Sequence, residues 1–203
     1  MKVKSLKQID EYQGFPLYAL SEEKELTECE LKEKNVLEND LISAETKDLS
    51  ARIIRFMTDH NLSLSVSESL TGGELSSTLI SQSGASKVFV EGIVAYSNNA
   101  KCNRLNVSSV TLDTLGAVSA QTALEMAKGV LGNSDYSLST TGLAGPAGDG
   151  FLDKVGTVYI GLCTKTDCFV KGFLLEGERN TIRNLTVNTA LSMLLTVLIQ
   201  NEN

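Results

Sequence analysis

The segment LSLSVSESLTGGELSSTLIS, residues 62–81, passes from a strand to a helix within a few residues. Its pattern predicts a short strand over Leu62–Val66 and a helix over Thr71–Ser81 that opens at a glycine pair. Ser69 lies between them, beside the backbone N–H groups that a helix leaves free at its N-terminus. Such amides, together with the helix dipole, can bind an oxyanion or a phosphate. The alternative interpretation is that Ser69 or Thr71 only caps the helix.

On either side of this segment, strands and helices alternate along most of the chain. The periodicity predicts helices at 46–59, 98–105, 119–131 and 178–200, and strands at 88–96, 136–141, 155–163 and 168–175. The strand at 88–96 is apolar enough to be expected in a buried position. This order predicts an α/β fold with a mixed, mostly parallel sheet and helices on both faces. Ligands of such sheets bind beyond the carboxyl ends of the strands.

The stretch YSNNAK, residues 96–101, carries a second chemical signal. Tyr96 ends a predicted strand of the same sheet, and Lys101 falls in the first turn of the following helix. The positive end of the helix dipole disfavours a cation there, so the pKa of Lys101 is expected to fall below its usual value. A neutral lysine can act as the general base for a serine nucleophile. An ordinary solvated lysine is the alternative interpretation.

Two further features suggest a bound anion. The loop Thr141–Gly150 follows a strand and contains four glycines. Such a composition lets a ligand approach the backbone. The alternative interpretation is that the loop is only a flexible connector. Arg179 and Arg183 lie one turn apart at the start of the last predicted helix. Two cations at a positive helix end call for a compensating anion, which either Glu176 and Glu178 or a substrate phosphate could supply.

Composition narrows the class of protein. A net charge of -7 and 5% aromatic residues with no Trp argue against a nucleic-acid-binding surface. The only histidine, His60, follows a predicted helix and is interpreted as structural, so a histidine-rich metal site is excluded. The first residues lack a signal-peptide pattern, and no stretch of about 18 apolar residues marks a membrane span. The protein is therefore expected in the cytoplasm, with its four cysteines as free thiols.

Residues 1–45 differ from the rest of the chain. Within them, residues 21–40 are dense in Glu and Lys, and the apolar residues there are too sparse to define a strong face. A solvated helix and a mobile segment are both open for this acidic N-terminal extension. The regular pattern of helices and strands begins afterwards, so residues 46–203 are expected to form the functional domain.

Six segments, taken in order, resemble motifs of one family, the C-terminal domain of the CinA proteins, which are nicotinamide mononucleotide deamidases. These segments are S-E-S-L-T-G-G at 67–73, Y-S-N-N-A-K at 96–101, G-A-V-S at 116–119, T-G-L-A-G-P at 141–146, V-G-T-V at 155–158 and G-E-R-N-T-I-R at 177–183. Any one of them is weak evidence, but order and spacing agree over roughly residues 46–200. The resemblance implies a three-layer α/β/α sandwich and proteins that associate as dimers or larger.

The resemblance also implies an activity and a set of site residues. The reaction is hydrolysis of the carboxamide of nicotinamide mononucleotide to nicotinic acid mononucleotide and ammonia. Ser69 would be the nucleophile and Lys101 the base, with Tyr96 assisting. A further set of residues would supply the backbone of an oxyanion hole and hold the pyridine nucleotide. These residues are Thr71, Gly72, Gly73, Thr141, Gly142, Gly145, Arg179 and Arg183. No metal and no cofactor are implied.

Three positions depart from the family pattern. Leu70 stands where the family usually has Cys, Asn99 where Glu is common, and Ala147 where Gly is common. These departures leave a second hypothesis open, in which the protein binds the nucleotide without turnover and serves a competence- or stress-linked regulatory role. An amidase with another carboxamide substrate is a third.

Overall fold

The computed structural model describes residues 2–12, 15–25, 46–146 and 154–200. Its strands are β1 (Lys2–Tyr12), β2 (Phe15–Glu25), β3 (Leu64–Glu68), β4 (Phe89–Val94), β5 (Tyr136–Gly142), β6 (Thr157–Thr164) and β7 (Cys168–Leu174). Its helices are α1 (46–59), α2 (Glu74–Ile80), α3 (Asn98–Leu105), α4 (Ser109–Thr114), α5 (Ala120–Leu131) and α6 (Arg179–Gln200), with a short 3-10 helix at Ala85–Lys87. Two of these, α4 and the 3-10 helix, were not predicted from the sequence.

The main sheet has five strands in the order β4-β3-β5-β6-β7. Strand β3 pairs in parallel with β4 and with β5, whereas β6 runs antiparallel to both of its neighbours. Four of the five strands therefore point the same way, which confirms the predicted mixed, mostly parallel sheet.

One face of the sheet is apolar and carries most of the core. Leu64, Val66, Leu138 and Ile160 are fully buried there against α1, α2 and α6. Burying apolar area of this kind is the main favourable term in folding. A smaller core on the opposite face joins α3, α4 and α5, so helices cover both faces as predicted.

The face that carries α5 is lined by hydroxyl groups instead. Ser67, Ser137 and Ser139 donate hydrogen bonds to the α5 carbonyls of Met126, Ala127 and Ala123, at 3.1, 2.7 and 2.6 Å. At Gly161, an added Cβ would lie 2.7 Å from the carbonyl oxygen of Ala123, so only glycine fits. Small side chains thus let α5 lie very close to the sheet.

The first predicted element that needs correction is the strand at 88–96. It is present as β4, but it forms an edge of the sheet, and Val90 and Val94 are 61% and 48% exposed. The expectation of a buried strand was wrong because an apolar run does not distinguish a central strand from an edge strand.

The cysteine prediction is also wrong for one pair. Cys163 and Cys168 form a disulfide, whereas Cys102 is a free thiol. The two half-cystines face each other in the register of the β6–β7 hairpin, with their Cα atoms 4.1 Å apart. The register of the hairpin brings them within bonding range, whereas the prediction of free thiols relied on a reducing cytoplasm.

Helix α6 closes the chain across the apolar face. Its hydropathy averages 1.4 over 18 residues, so among the described helices it is the one that is long and apolar enough to cross a membrane. Half of that window is buried inside the structure, where Leu191, Leu194 and Leu198 belong to the core. Its apolar composition is explained by this packing.

Within residues 1–45, the structure describes an antiparallel pair of strands, β1 and β2. Strands and not a helix therefore form Lys2–Tyr12 and Phe15–Glu25, and mobility of the extension stays a prediction. Residues 26–45 lie outside the described residues.

Candidate active site

Ser69 directly follows β3, the strand that lies between its two parallel partners. Its amide donates to the Thr140 carbonyl of the neighbouring strand at 2.9 Å, and the residue is 9% exposed. The serine thus lies beyond the carboxyl ends of three parallel strands, where α/β proteins bind ligands.

Glu68, the residue before the serine, occupies the N-terminus of α2. Its carboxylate accepts hydrogen bonds from the amides of Gly73, Leu75 and Ser76, at 2.9, 3.1 and 2.8 Å, and from the hydroxyl of Ser76. The prediction that this helix end offers its amides to a ligand is corrected, since Glu68 satisfies them internally. The Gly73 amide in particular is not available to an oxyanion hole.

Lys101 reaches Ser69 from the other side. Its Nζ donates to Ser69 Oγ at 2.9 Å, and to the carbonyls of Ala95 and Tyr96 at 2.9 and 3.3 Å. The side chain of Lys101 is 1% exposed. Helix α3, which begins with Ser97 accepting the Ala100 amide at 3.1 Å, holds the lysine in this position. The contact that a serine–lysine pair requires is therefore present.

Burial lowers the pKa of Lys101 from its ordinary value of 10.5 to about 8. The expected direction is confirmed, but the cause differs, because the expectation invoked the helix dipole and the shift follows from desolvation of the ammonium group. A substantial fraction of Lys101 is then neutral near pH 8, as a general base must be.

Tyr96 and Arg179 form the outer rim of the site. Tyr96 is 65% exposed, and its hydroxyl accepts a long 3.4 Å hydrogen bond from Arg179 Nη2. Arg179 Nη1 donates to the Gly145 carbonyl at 2.7 Å. Tyr96 meets Lys101 through its backbone carbonyl, so the structure brings its hydroxyl to the arginine and not to the serine–lysine pair.

A cleft of about 290 Å³ joins these residues. It is lined by Ser69, Leu70, Tyr96, Lys101, Ala117, Val118, Thr141, Gly142, Leu143, Ala144, Gly145 and Arg179. The loop after β5 thus forms one wall, as predicted, although residues 147–150, including the departure at Ala147, lie outside the described residues. Among the residues that are described, no group of three or more His, Cys, Asp or Glu could hold a metal ion.

Two of the residues predicted to bind the nucleotide, Thr141 and Gly142, also make contacts that support the fold. The Thr141 hydroxyl donates to the Ala117 carbonyl at 2.6 Å, and an added Cβ at Gly142 would meet the Thr157 carbonyl oxygen at 2.7 Å. Packing against β6 is therefore enough to require glycine at position 142.

Arg183 is not part of this cleft. It lines a second cavity of about 600 Å³ between α1, α2 and α6. Its guanidinium donates to the carbonyls of Leu70 and Thr71, at 3.1 and 2.8 Å, and lies 3.2 Å from the carboxylate of Glu74. Burial raises the pKa of that carboxyl, against the lowering effect of Arg183. The two arginines of the i,i+4 pair thus reach different cavities.

Sequence reasoning missed Glu68 and the wall formed by Ala117 and Val118. The sequence pattern gave Glu68 no role, although a carboxylate a few residues before the start of a helix is a recognisable capping signal. Ala117 and Val118 lie in the G-A-V-S segment, for which the sequence indicated no role. The Ala95 carbonyl could not be found from the sequence, because every residue carries the same group.

The fold and this geometry define an α/β protein with a buried serine–lysine pair at the carboxyl edge of its sheet. The chain belongs to the CinA family, since the family model for the CinA C-terminal domain matches residues 46–198. A competence-damage inducible protein of Clostridium tetani is 45% identical over 163 residues, which cover 79% of this chain and 40% of that protein.

Solved structures agree with this assignment. The competence/damage inducible protein CihA from Agrobacterium tumefaciens has a TM-score of 0.73 and 37% identity, over 75% of this chain and 94% of that one. The competence damage-inducible protein A from Klebsiella pneumoniae has a TM-score of 0.74 and 30% identity, over 76% and 97%. The chain spans about two-fifths of the length of the curated relatives it matches.

Proposed function

We propose that this protein is an amidase that hydrolyses the carboxamide of nicotinamide mononucleotide to nicotinic acid mononucleotide and ammonia. The observation that carries the proposal is the 2.9 Å contact between Lys101 Nζ and Ser69 Oγ, in a cleft where burial lowers the lysine pKa to about 8. A serine needs a base to become a nucleophile, and Lys101 is the group in contact with its hydroxyl. A cytoplasmic location and assembly into a homo-oligomer both stay predictions.

The partners of Lys101 suit a base. A neutral lysine has two N–H bonds and one lone pair. The carbonyls of Ala95 and Tyr96 take the two N–H bonds, which leaves the lone pair directed at the Ser69 hydroxyl. The geometry is that of a serine hydroxyl ready to give up its proton to the lysine.

The reaction then follows two steps. Lys101 takes the hydroxyl proton while Ser69 Oγ attacks the carboxamide carbon, forming a tetrahedral oxyanion. The C–N bond breaks as the lysine ammonium returns that proton to the departing nitrogen, so ammonia leaves and an acyl-serine remains. Water attacks the ester with Lys101 again as base, and the carboxylic acid and free serine are regenerated.

The oxyanion needs donors other than Gly73, whose amide is bound to Glu68. Within the described residues, the amides of Leu70 and Thr71 donate to no acceptor. These two groups directly follow the nucleophile and are our candidates for the oxyanion hole.

The rim suits the rest of the substrate. Arg179 is exposed at the edge of the cleft, where its guanidinium can bind the phosphate of the mononucleotide. The exposed ring of Tyr96 lies beside it and offers a face to the pyridine ring.

The test is ammonia release from nicotinamide mononucleotide, with a chelator present, by the wild type and the variants Ser69→Ala and Lys101→Met. Turnover by the wild type and a loss of at least about 10³-fold in both variants is expected, since nucleophile and base act as a unit. If the folded wild type binds the mononucleotide in calorimetry but releases no ammonia, the amidase hypothesis is rejected in favour of a protein that binds the nucleotide without turnover. Activity on another carboxamide would change the substrate only.

A further inference from the structure

Arg183 holds the loop that carries the nucleophile. Its Nε donates to the Leu70 carbonyl at 3.1 Å, and its Nη2 donates to the Thr71 carbonyl at 2.8 Å. These carbonyls belong to the two residues that follow Ser69 in the chain. A guanidinium presents its donors in a rigid planar fork, so a single side chain fixes both carbonyls at once.

The orientation of one carbonyl fixes the next amide. In a trans peptide, the C=O and the N–H of the following residue point in opposite directions. The Leu70 carbonyl points to Arg183, so the Thr71 N–H points away from the guanidinium and from the second cavity. The Gly72 N–H, opposite the Thr71 carbonyl, lies 3.2 Å from the Ser69 carbonyl, whereas the Thr71 N–H has no acceptor among the described residues.

Each of the three nitrogen atoms of the Arg183 guanidinium already has a partner. Besides the two carbonyls, its Nη1 lies 3.4 Å from the side-chain oxygen of Asn180, and its Nη2 lies 3.2 Å from the Glu74 carboxylate. A carboxylate at that distance offsets the charge of the guanidinium and disfavours a second anion beside it. Arg179, by contrast, lines the cleft and has only neutral partners.

We propose that Arg183 is a positioning residue, which orients the Thr71 amide as an oxyanion donor, and that Arg179 alone binds the substrate anion. The inference rests on the proposed amidase function for the identity of the oxyanion. It reverses the role that the family resemblance assigned to Arg183. Polarisation of the two peptide groups by the guanidinium also strengthens their N–H groups as donors.

The test distinguishes the two arginines by whether their substitution changes kcat or KM. Arg183→Lys keeps the charge but replaces the fork by a single point donor. We expect kcat to fall roughly 10²-fold, as when one oxyanion donor is lost, with KM within about threefold of the wild type. Arg179→Gln on the same helix should instead raise KM about tenfold or more with little change in kcat. The pH midpoint should be the same in Arg183→Lys and wild type, because Arg183 does not touch Lys101.

A second readout does not depend on the substrate. A fluorophosphonate reacts with an activated serine and needs the same oxyanion donors, so labelling of Ser69 can be followed by mass spectrometry. We expect labelling of Arg183→Lys to be roughly 10- to 100-fold slower than that of the wild type, and Ser69→Ala to remain unlabelled. Arg183→Met, which keeps the volume of the stem, is the second variant if Arg183→Lys does not melt cooperatively.

The outcomes are distinct. If the wild type is labelled but releases no ammonia, the proposed substrate fails and the role of Arg183 is still decided by the labelling rates. Wild-type labelling rates in Arg183→Lys or Arg183→Met, or a higher KM at unchanged kcat, would overturn the proposal and return Arg183 to the substrate. A wild type whose Ser69 is not labelled would overturn it as well, because no oxyanion site would then exist to be oriented.

Discussion

Two ionisable side chains adjoin Ser69, and the protein treats them in opposite ways. Glu68 is 0% exposed and Lys101 is 1% exposed. The carboxylate of Glu68 receives hydrogen bonds from three amides and a hydroxyl. The ammonium of Lys101 meets only neutral oxygens, and its pKa falls to about 8. Burial therefore does not by itself make a group reactive, and the partners supplied inside the fold decide the outcome.

The largest expected effect on stability is that of a substitution at Glu68. In Glu68→Gln the shape is kept, but the amide nitrogen cannot accept the hydrogen bonds that one carboxylate oxygen accepted. We expect the free energy of unfolding to fall by roughly 3–5 kcal/mol, since at least two buried or half-buried donors lose a charged acceptor. Chemical denaturation at pH 7 measures this change. A variant as stable as the wild type would show that Glu68 does not hold the start of α2.

Lys101 should show the opposite behaviour in stability. Its pKa is lowered in the folded protein, so the unfolded chain binds the proton more tightly, and the folded protein is penalised wherever the group is charged. In Lys101→Met this penalty is absent. The free energy of unfolding of the variant, relative to wild type, should therefore drop by about 3 kcal/mol as the pH rises from below 8 to above 10.5.

Denaturation of both proteins over this pH range, taken as a difference, cancels the titration of every other group. The structural loss of the hydrogen bonds to Ala95 and Tyr96 is independent of pH and shifts the difference by a constant. A difference that stays flat from pH 7 to 11 would contradict a lowered pKa of Lys101.

The smallest effect concerns the rate of the wild type. If neutral Lys101 is the base, kcat/KM should rise about tenfold per pH unit below pH 8 and level off above it. Ammonia release measured from pH 6 to 10 tests this, with the circular dichroism signal as a control for folding. A rate that is independent of pH over this range would remove Lys101 as the base.

Much of this arrangement could be predicted from the sequence. The alternation of helices and strands predicts the sheet and its helices, and the spacing of the segments around Ser69 and Lys101 places both at the same edge of the sheet. What the pattern could not supply was the cause of the lysine pKa shift. Helix position is visible in a sequence, whereas burial depends on residues that are distant along the chain.

The two arginines show a second limit. Arg179 and Arg183 lie one turn apart, so the sequence places them on one face of α6 and suggests one role. Which cavity each reaches depends on how α6 packs against the Leu70–Thr71 carbonyls, and this contact spans more than 100 residues. The exposed edge position of β4 was missed for the same reason, since strand order is a tertiary property.

The hydroxyl-lined face of the sheet has a consequence for motion. Apolar contacts have no preferred direction, so a helix on an apolar face can slide by a fraction of a turn at small cost. Hydrogen bonds are directional, and Ser67, Ser137 and Ser139 bind three carbonyls of α5 that lie within about one helical turn. A shear displacement of α5 would break all three together. Opening and closing of the cleft is therefore expected to come from its loops, while the α5 layer behind them stays fixed on the sheet.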